Sequence, residues 1–278
     1  MISGRHRTTA GGFTLDGAVT VVTGAGSGIG RATALSFGAA GARVVAVDVD
    51  GASAKATAED VGGAWYQVDV ADGPAMAELA AAVDAEQGPV TVLVNNAGVG
   101  LSARFLDMED GDWEWILGVN LRGVIHGCRA FGPSLVARGR GHVVNVSSGL
   151  ATFPRATEPA YCTTKAAVLM LSRALRADWR RAGVGVSVVL PGVVDTPIVR
   201  STRFRGERAR PETVARVQRT FSRRGHPAEQ VAGAVLSAVV RNRAVVPVGP
   251  EAWAGWLARG LVPTRVGDRL AGLSVGGV

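Results

Sequence analysis

From about residue 18 to residue 190, short valine-rich runs alternate with longer segments of helical period, and no linker-like break interrupts them. "AVTVVT" (Ala18–Thr23), "ARVVAVD", "AWYQVDV", "VTVLVNNAG", "GHVVNVSS" and "GVSVVLPG" read as strands. They are apolar at successive rather than alternate positions, the mark of strands covered on both faces. Between them "GRATALSFGAAG", "SAKATAEDV", a segment from about Pro74 to Glu86, a long one around Trp113–Ala137 and one opening at "AYCTTKAAVLML" read as helices. Repeated strand–helix units with short loops predict an α/β fold, a doubly wound parallel sheet of Rossmann type in one domain. The expected organisation is a loose arm over 1–15, the domain over 16–249 and a helical C-terminal extension over 250–278. Beyond Pro191 the rhythm loosens, leaving a helix from about Pro227 to Val240 and a strand at Ala244–Val248.

Composition narrows the function classes. Hydrophobic residues are 47% of the chain and mean hydropathy is +0.21, which excludes disorder over most of the length. No apolar stretch approaches the ~18 residues needed to cross a bilayer, and the basic N-terminus has no apolar run behind it, so a cytosolic protein is expected. Two cysteines, Cys128 and Cys162, cannot build a disulfide framework and read as small packed hydrophobes. No Cys/His cluster has metal spacing, and His126 and His142 read as structural. Nine arginines against two glutamates between 200 and 224 equal the whole chain's net charge of +7. The basicity belongs to that segment, read as a solvated helix face; nucleic acid would want more interleaved aromatics than Phe204 and Phe221.

"TGAGSGIG" lies between the first strand and the first helix. Glycine at 24, 28 and 30 suits a tight turn, a close approach of backbone to a pyrophosphate and close helix–strand packing, and the helix N-terminus offers free N–H groups to phosphates. Ser27 and Ile29 belong to the same turn. Eighteen residues past Gly30 the second strand ends in Asp48, followed by Val49. An acid there accepts from ribose hydroxyls and repels a 2′-phosphate, which favours NAD over NADP.

The chain has two tyrosines and two lysines, and one of each, Tyr161 and Lys165, stands four residues apart on one helical face. In a sequence that chooses arginine nearly everywhere, a lysine here is informative: its ammonium is a compact charge able to approach a phenol and ribose hydroxyls together. Near the phenol it is expected to favour the phenolate and pull its pKa down.

"TGAGSGIG", "NNAG", "VNVSS", "YCTTK" and "PGVVDT" occur in order and spacing over residues 16–197, and the chain thereby resembles the short-chain dehydrogenase/reductase family in its Tyr-x-x-x-Lys group. The resemblance implies that Tyr161 is the general acid/base and that Ser148 polarises the substrate oxygen, with Ser147 its structural neighbour. It implies that Lys165 holds the nicotinamide ribose and that the backbone of Asn120 helps hold a proton-relay water. On the cofactor side it implies that Asp69 and Val70 contact adenine and that Asn96, Ala97 and Gly98 line the adenosine side. Val194 and Thr196 would hold the carboxamide end of the nicotinamide, and Pro191 would also bind the cofactor. It further implies a small-molecule alcohol or ketone substrate, NAD as cofactor and a homo-oligomer, dimer or tetramer.

After Thr196 no motif assigns residues; the stretch 196–226 is expected to cover the substrate. The tail places Trp253, Trp256, Leu257, Gly260 and Leu261 on one helical stripe. Three readings of it stand, in this order: packing against the domain or a partner subunit, a cover for an apolar substrate, and a membrane-surface helix helped by Arg259, Arg265 and Arg269. The expected activity is NAD-dependent interconversion of a secondary alcohol and a ketone on an apolar skeleton. NADP-dependent ketoreduction is opposed by Asp48, and a non-catalytic dinucleotide sensor by the joint presence of Ser148, Tyr161 and Lys165.

Overall fold

The computed structural model describes residues 14–272. Seven strands form one parallel sheet: β1 (Val19–Thr23), β2 (Arg43–Asp48), β3 (Ala64–Gln67), β4 (Val92–Asn95), β6 (Gly141–Val146), β7 (Val184–Pro191) and β9 (Val245–Val248). Their order is β3-β2-β1-β4-β6-β7-β9. The chain runs outward from β1 to β3, then crosses back to pair β4 with β1 on its other side, so the switch point lies between the β1 and β4 ends. In open parallel sheets a ligand crevice opens there, outside the strand carboxyl ends.

The valine runs fill both faces as their period of two dictates. Val22, Val94, Val144 and Val189 pack with Phe37 of α1 (Gly28–Ala39) and Val235 of α9 (Ala228–Val240) on one side. Val19, Val21, Leu93 and Val143 pack on the other with Met76 of α3 (Gly73–Gln87), Phe131 of α5 (Gly123–Arg138) and Val168 of α6 (Pro159–Trp179). Each fully buried side chain of this size contributes roughly 1.5–3 kcal/mol. Leu15, assigned by sequence to the arm, is buried in the first of these clusters, so the core begins inside the expected arm; the arm up to residue 13 lies outside the described residues.

The single long helix expected around Trp113–Ala137 is interrupted. α4 (Asp110–Leu117) passes into a π turn, Gly118–Arg122, before α5 begins. The arginine-rich stretch is likewise not one helix. It forms α7 (Ile198–Ser201), the short strand β8 (Arg203–Phe204) paired with β5 (Leu101–Ser102), a 3-10 turn, and α8 (Pro211–Arg224).

Of the tail, α10 spans Pro250–Ala258, so Gly260 and Leu261 lie past its end and the expected stripe divides. Trp256 packs against Leu169, Val188 and Leu190 with the Arg259 guanidinium 3.3 Å over its ring, whereas Trp253, Leu257 and Leu261 are exposed. Among the described residues no helix is long and apolar enough to cross a membrane, and no group of His, Cys, Asp and Glu could hold a metal ion.

Candidate active site

Two cavities open at the strand carboxyl ends and meet at Ser148 and Tyr161. The larger, about 480 Å³, is lined by Gly24, Ser27, Gly28, Ile29, Asp48, Val49, Asp69, Val70, Asn96, Ala97, Gly98, Pro191, Val194, Thr196 and Lys165, the residues assigned by sequence to a dinucleotide. Gly30 stays outside that lining because its role is packing: a Cβ there would lie 1.9 Å from the Gly24 carbonyl oxygen. Gly24 itself holds φ +64°, the left-handed region that a side chain disfavours.

The cavity fits a phosphate-bearing ligand for a local reason. α2 (Gly51–Val61) and α3 begin on Asp50 and Asp72, whose carboxylates accept from the first backbone amides. α1 begins on Ser27, which makes no side-chain cap, and no acid lies in its first turn. Its free amides and positive dipole end are left facing the cavity. Asp48 rims the same space, with one carboxylate oxygen accepting from Gly26 N at 2.8 Å and the other from Asp50 N at 3.1 Å. Asn96 fastens the two strand ends: its Nδ2 donates to Thr23 O at 2.9 Å, and its backbone N donates to Thr23 Oγ1. His126, read as structural, donates from Nδ1 to Val70 O at 2.9 Å and so anchors the turn that carries Asp69 and Val70.

α6 carries the titrating groups. Ser147 Oγ donates to Lys165 O at 2.7 Å and pins the helix to β6. Lys165 is buried; its Nζ donates to Val146 O at 3.1 Å and stands 5.7 Å from the centre of the Tyr161 ring. Burial pushes its pKa down to about 8. The lysine was expected to draw the phenol down, and in this structure it does not. Burial pushes the Tyr161 phenol up to about 12, a hydrogen bond from Ser148 draws it down, and the Glu158 carboxylate pushes it up again. Cys162 points into packing, and burial pushes its thiol up to about 11.

Asn120 sits in the π turn, fully buried. Its side chain, not only its backbone, is engaged: Oδ1 accepts from Val99 N at 2.8 Å and Nδ2 donates to Val99 O at 2.9 Å. It thus clamps the chain just after Gly98 and reaches Thr164 of α6 at 3.4 Å. A π turn widens the helix by one residue and occurs often at functional sites.

The second cavity, about 300 Å³, is walled mainly by Leu101, Leu150, Phe153, Ile198, Phe204 and Phe221, with Ala252 and Gly255 of α10 closing it. Sequence reasoning missed what holds this half in place. Arg205 donates to both carboxylate oxygens of Asp112, at 2.9 and 2.7 Å, and Asp112 is only 3% exposed. The Arg205 hydrogen bond holds the Asp112 carboxyl below the usual carboxylate range. Arg203 lies 3.7 Å over Trp115, and buried Arg208 donates to Ser102 Oγ at 3.1 Å. The reading of a solvated arginine face therefore fails for Arg203, Arg205 and Arg208, which dock the segment, while Arg219, Arg223 and Arg224 do face solvent.

Glu251 of α10 was also missed. Its Oε1 accepts from Val193 N at 2.6 Å and its Oε2 lies 3.4 Å from His226 Nε2. His226 in turn pairs by its backbone with Val193 and Asp195, so the loop bearing Val194 and Thr196 is held from both sides. Neither residue belongs to a motif.

Comparisons with known proteins give the family and the fold. The sequence profile of the short chain dehydrogenase family matches residues 18–205. The chain is 45% identical to the probable oxidoreductase EphD of Mycobacterium tuberculosis over 84% of its own length; that match spans 41% of EphD, so the chain covers about two fifths of that relative. It is 38% identical to the galactitol 2-dehydrogenase (L-tagatose-forming) of Cereibacter sphaeroides, over 70% of this chain and 78% of that one. A crystal structure of a short-chain dehydrogenase/reductase from Burkholderia phymatum in complex with NAD superposes with TM-score 0.77 at 32% identity, covering 88% of this chain and 92% of that chain.

Proposed function

The chain belongs to the short-chain dehydrogenase/reductase family of oxidoreductases, and from that premise we propose that it interconverts a secondary alcohol and a ketone with NAD, on an apolar skeleton. The observation that carries the reading is the shared border of the two cavities: Ser148 and Tyr161 line both, with Lys165 on the dinucleotide side. Asp48 at the rim of the larger cavity supports NAD, since its charge opposes a 2′-phosphate. The leucine, isoleucine and phenylalanine walls of the smaller one support an apolar skeleton over a fully hydroxylated polyol.

When bound, the dinucleotide supplies the nicotinamide carbon that accepts or gives the hydride. The chain's own residues move one proton and hold one oxygen. In alcohol oxidation Tyr161, as phenolate, accepts the hydroxyl proton; in reduction the phenol donates it to the forming alkoxide. Ser148 donates a hydrogen bond where negative charge develops on that oxygen. Lys165, fixed by Val146 O, binds ribose hydroxyls, and the buried ring of α6 residues around it keeps water out.

The phenol's raised pKa of about 12 sets the pH behaviour. Oxidation needs the deprotonated form, so its kcat/KM climbs with pH through the neutral range. Reduction uses the protonated form, present throughout, and holds its rate until Lys165 begins to lose its proton near about 8. The test is a panel of alicyclic and acyclic secondary alcohols with NAD and with NADP, followed by absorbance of the reduced nicotinamide. Turnover with NAD on the apolar members supports the reading. Binding of NAD without turnover across the panel, or equal efficiency with NADP, would overturn it.

A further inference from the structure

The smaller cavity is mostly apolar; its charged lining residues are Arg155, Glu158 and Glu251, and the first two lie just before the reacting phenol in the chain. Glu158 immediately precedes α6, with non-helical backbone, and lies three residues before Tyr161, on whose phenol its charge acts. Both line the cavity, and Arg155 lines it beside them. Among the described residues no hydrogen bond or ion pair closes on the Arg155 guanidinium or the Glu158 carboxylate, although burial pushes the Glu158 carboxyl up and the charges of Arg155 and Arg208 act on it. Glu158 does not cap its helix either. The other charged groups nearby are committed elsewhere: Arg208 donates to Ser102, and Glu251 accepts from Val193.

A charged donor and a charged acceptor left open in a greasy cavity are costly unless a ligand satisfies both. We propose that Arg155 and Glu158 form a recognition site for a second, neutral oxygen group on the substrate, a hydroxyl apart from the one that is oxidised. The inference rests on the alcohol/ketone reading above and narrows it to diols and hydroxyketones on an apolar skeleton. A hydroxyl answers both partners at once, donating to the Glu158 carboxylate and accepting from Arg155. A carboxylate could answer only Arg155 and would stand against Glu158 in a poorly solvated space. An unsubstituted skeleton would leave both groups unpaired, which is how a polar site rejects an analogue lacking the hydroxyl.

The site also connects to the chemistry. Glu158 acts on Tyr161, whose phenol its charge pushes up, so a hydroxyl bound to Glu158 reports its presence at the proton-transfer group.

The test uses the full chain with NAD and a matched alicyclic series: cyclohexanol, the cyclohexanediols and the hydroxycyclohexane carboxylates. The expected result is a diol-over-alcohol ratio in kcat/KM of about tenfold or more. Glu158→Leu should collapse that ratio toward one, Glu158→Gln should retain part of it, and Arg155→Met should lower it. Melting temperature and NAD binding confirm that each variant is folded. A ratio near one in the unaltered protein, a ratio unmoved by Glu158→Leu, or a preference for the hydroxy acids would overturn the proposal. The last outcome would make Arg155 and Arg208 an anion site instead. No turnover of any member with NAD would instead strike the oxidoreductase reading itself.

Discussion

The dinucleotide cavity and the substrate cavity share Ser148 and Tyr161 but are made of different material. The first is built from the ends of β1, β2, β4, β6 and β7, strands buried on both faces and braced by the sheet itself. The second is built from a 3-10 turn, a two-residue strand pair and residues of four helices, α6, α7, α8 and α10, fastened by side chains: Arg205 on Asp112, Arg203 on Trp115, Arg208 on Ser102 and Glu251 on Val193. A ligand common to a whole family can be bound by backbone amides that every strand–helix turn supplies. A ligand particular to one member needs walls that can change without unsettling the sheet, and side-chain anchors give that freedom.

The largest effect tests a residue that lines both halves. Tyr161→Phe removes the proton carrier and keeps the ring that packs on Leu101 and Ile116. We expect turnover to fall by about 100- to 10,000-fold while NAD affinity, measured by calorimetry, stays within a small factor. Equal loss of turnover and affinity would mean that the two cavities are one unit and that the contrast drawn above is false.

The contrast also sorts what the sequence made legible. Strand ends announce themselves because a valine run stops at a polar residue, as at Asp48 and Asn95, and the dinucleotide residues cluster there. The π turn at Gly118–Arg122 is silent, since one extra residue per turn does not disturb the apolar period around it. The Arg205–Asp112 pair is silent for another reason: its partners lie 93 residues apart and each looks like an ordinary surface charge. The same holds for Glu251 and Val193, 58 residues apart. A single sequence shows local pattern well and distant pairing hardly at all. The substrate half is built almost wholly from distant pairs.

The next effect therefore falls on that half alone. Arg205 is 41% exposed and Asp112 nearly buried, so the two single variants are unequal. Arg205→Ala leaves a buried carboxylate with Arg203 at 3.9 Å and the Glu109 amide at 3.4 Å, and should cost about 2 kcal/mol. Asp112→Asn leaves a guanidinium that water can reach and should cost less. The pair's contribution is present above about pH 4. It is lost as pH falls through the depressed Asp112 value, because only the folded state holds that carboxyl below its ordinary range. Denaturant titrations at neutral and acid pH check both points; equal losses in the two variants would show that the pair does not anchor the wall.

A smaller change isolates the dinucleotide half. Asp48→Asn removes the charge and keeps an oxygen that can accept from Gly26 N. The preference for NAD over NADP should fall about tenfold through relief of repulsion, with turnover little altered. An unchanged ratio would place cofactor choice elsewhere on the rim.

The smallest effect probes the one fastening that crosses between the halves. Glu251 belongs to α10, which walls the smaller cavity, yet its carboxylate holds Val193 in the loop that presents Val194 and Thr196 to the larger one. Glu251→Ala frees that amide and the His226 ring. One hydrogen bond to a backbone donor is about 1 kcal/mol, so the KM for NAD should rise about fivefold, with kcat less affected. Glu251→Gln keeps a carbonyl oxygen in reach of Val193 N and should restore most of the affinity, though not the ionic attraction to a protonated His226. If alanine and glutamine behave alike and only the melting temperature drops, Glu251 braces α10 without setting the loop. Restoration by glutamine would mean that the substrate wall and the cofactor loop are coupled through a single carboxylate, so changes that tune one cavity are constrained by the other.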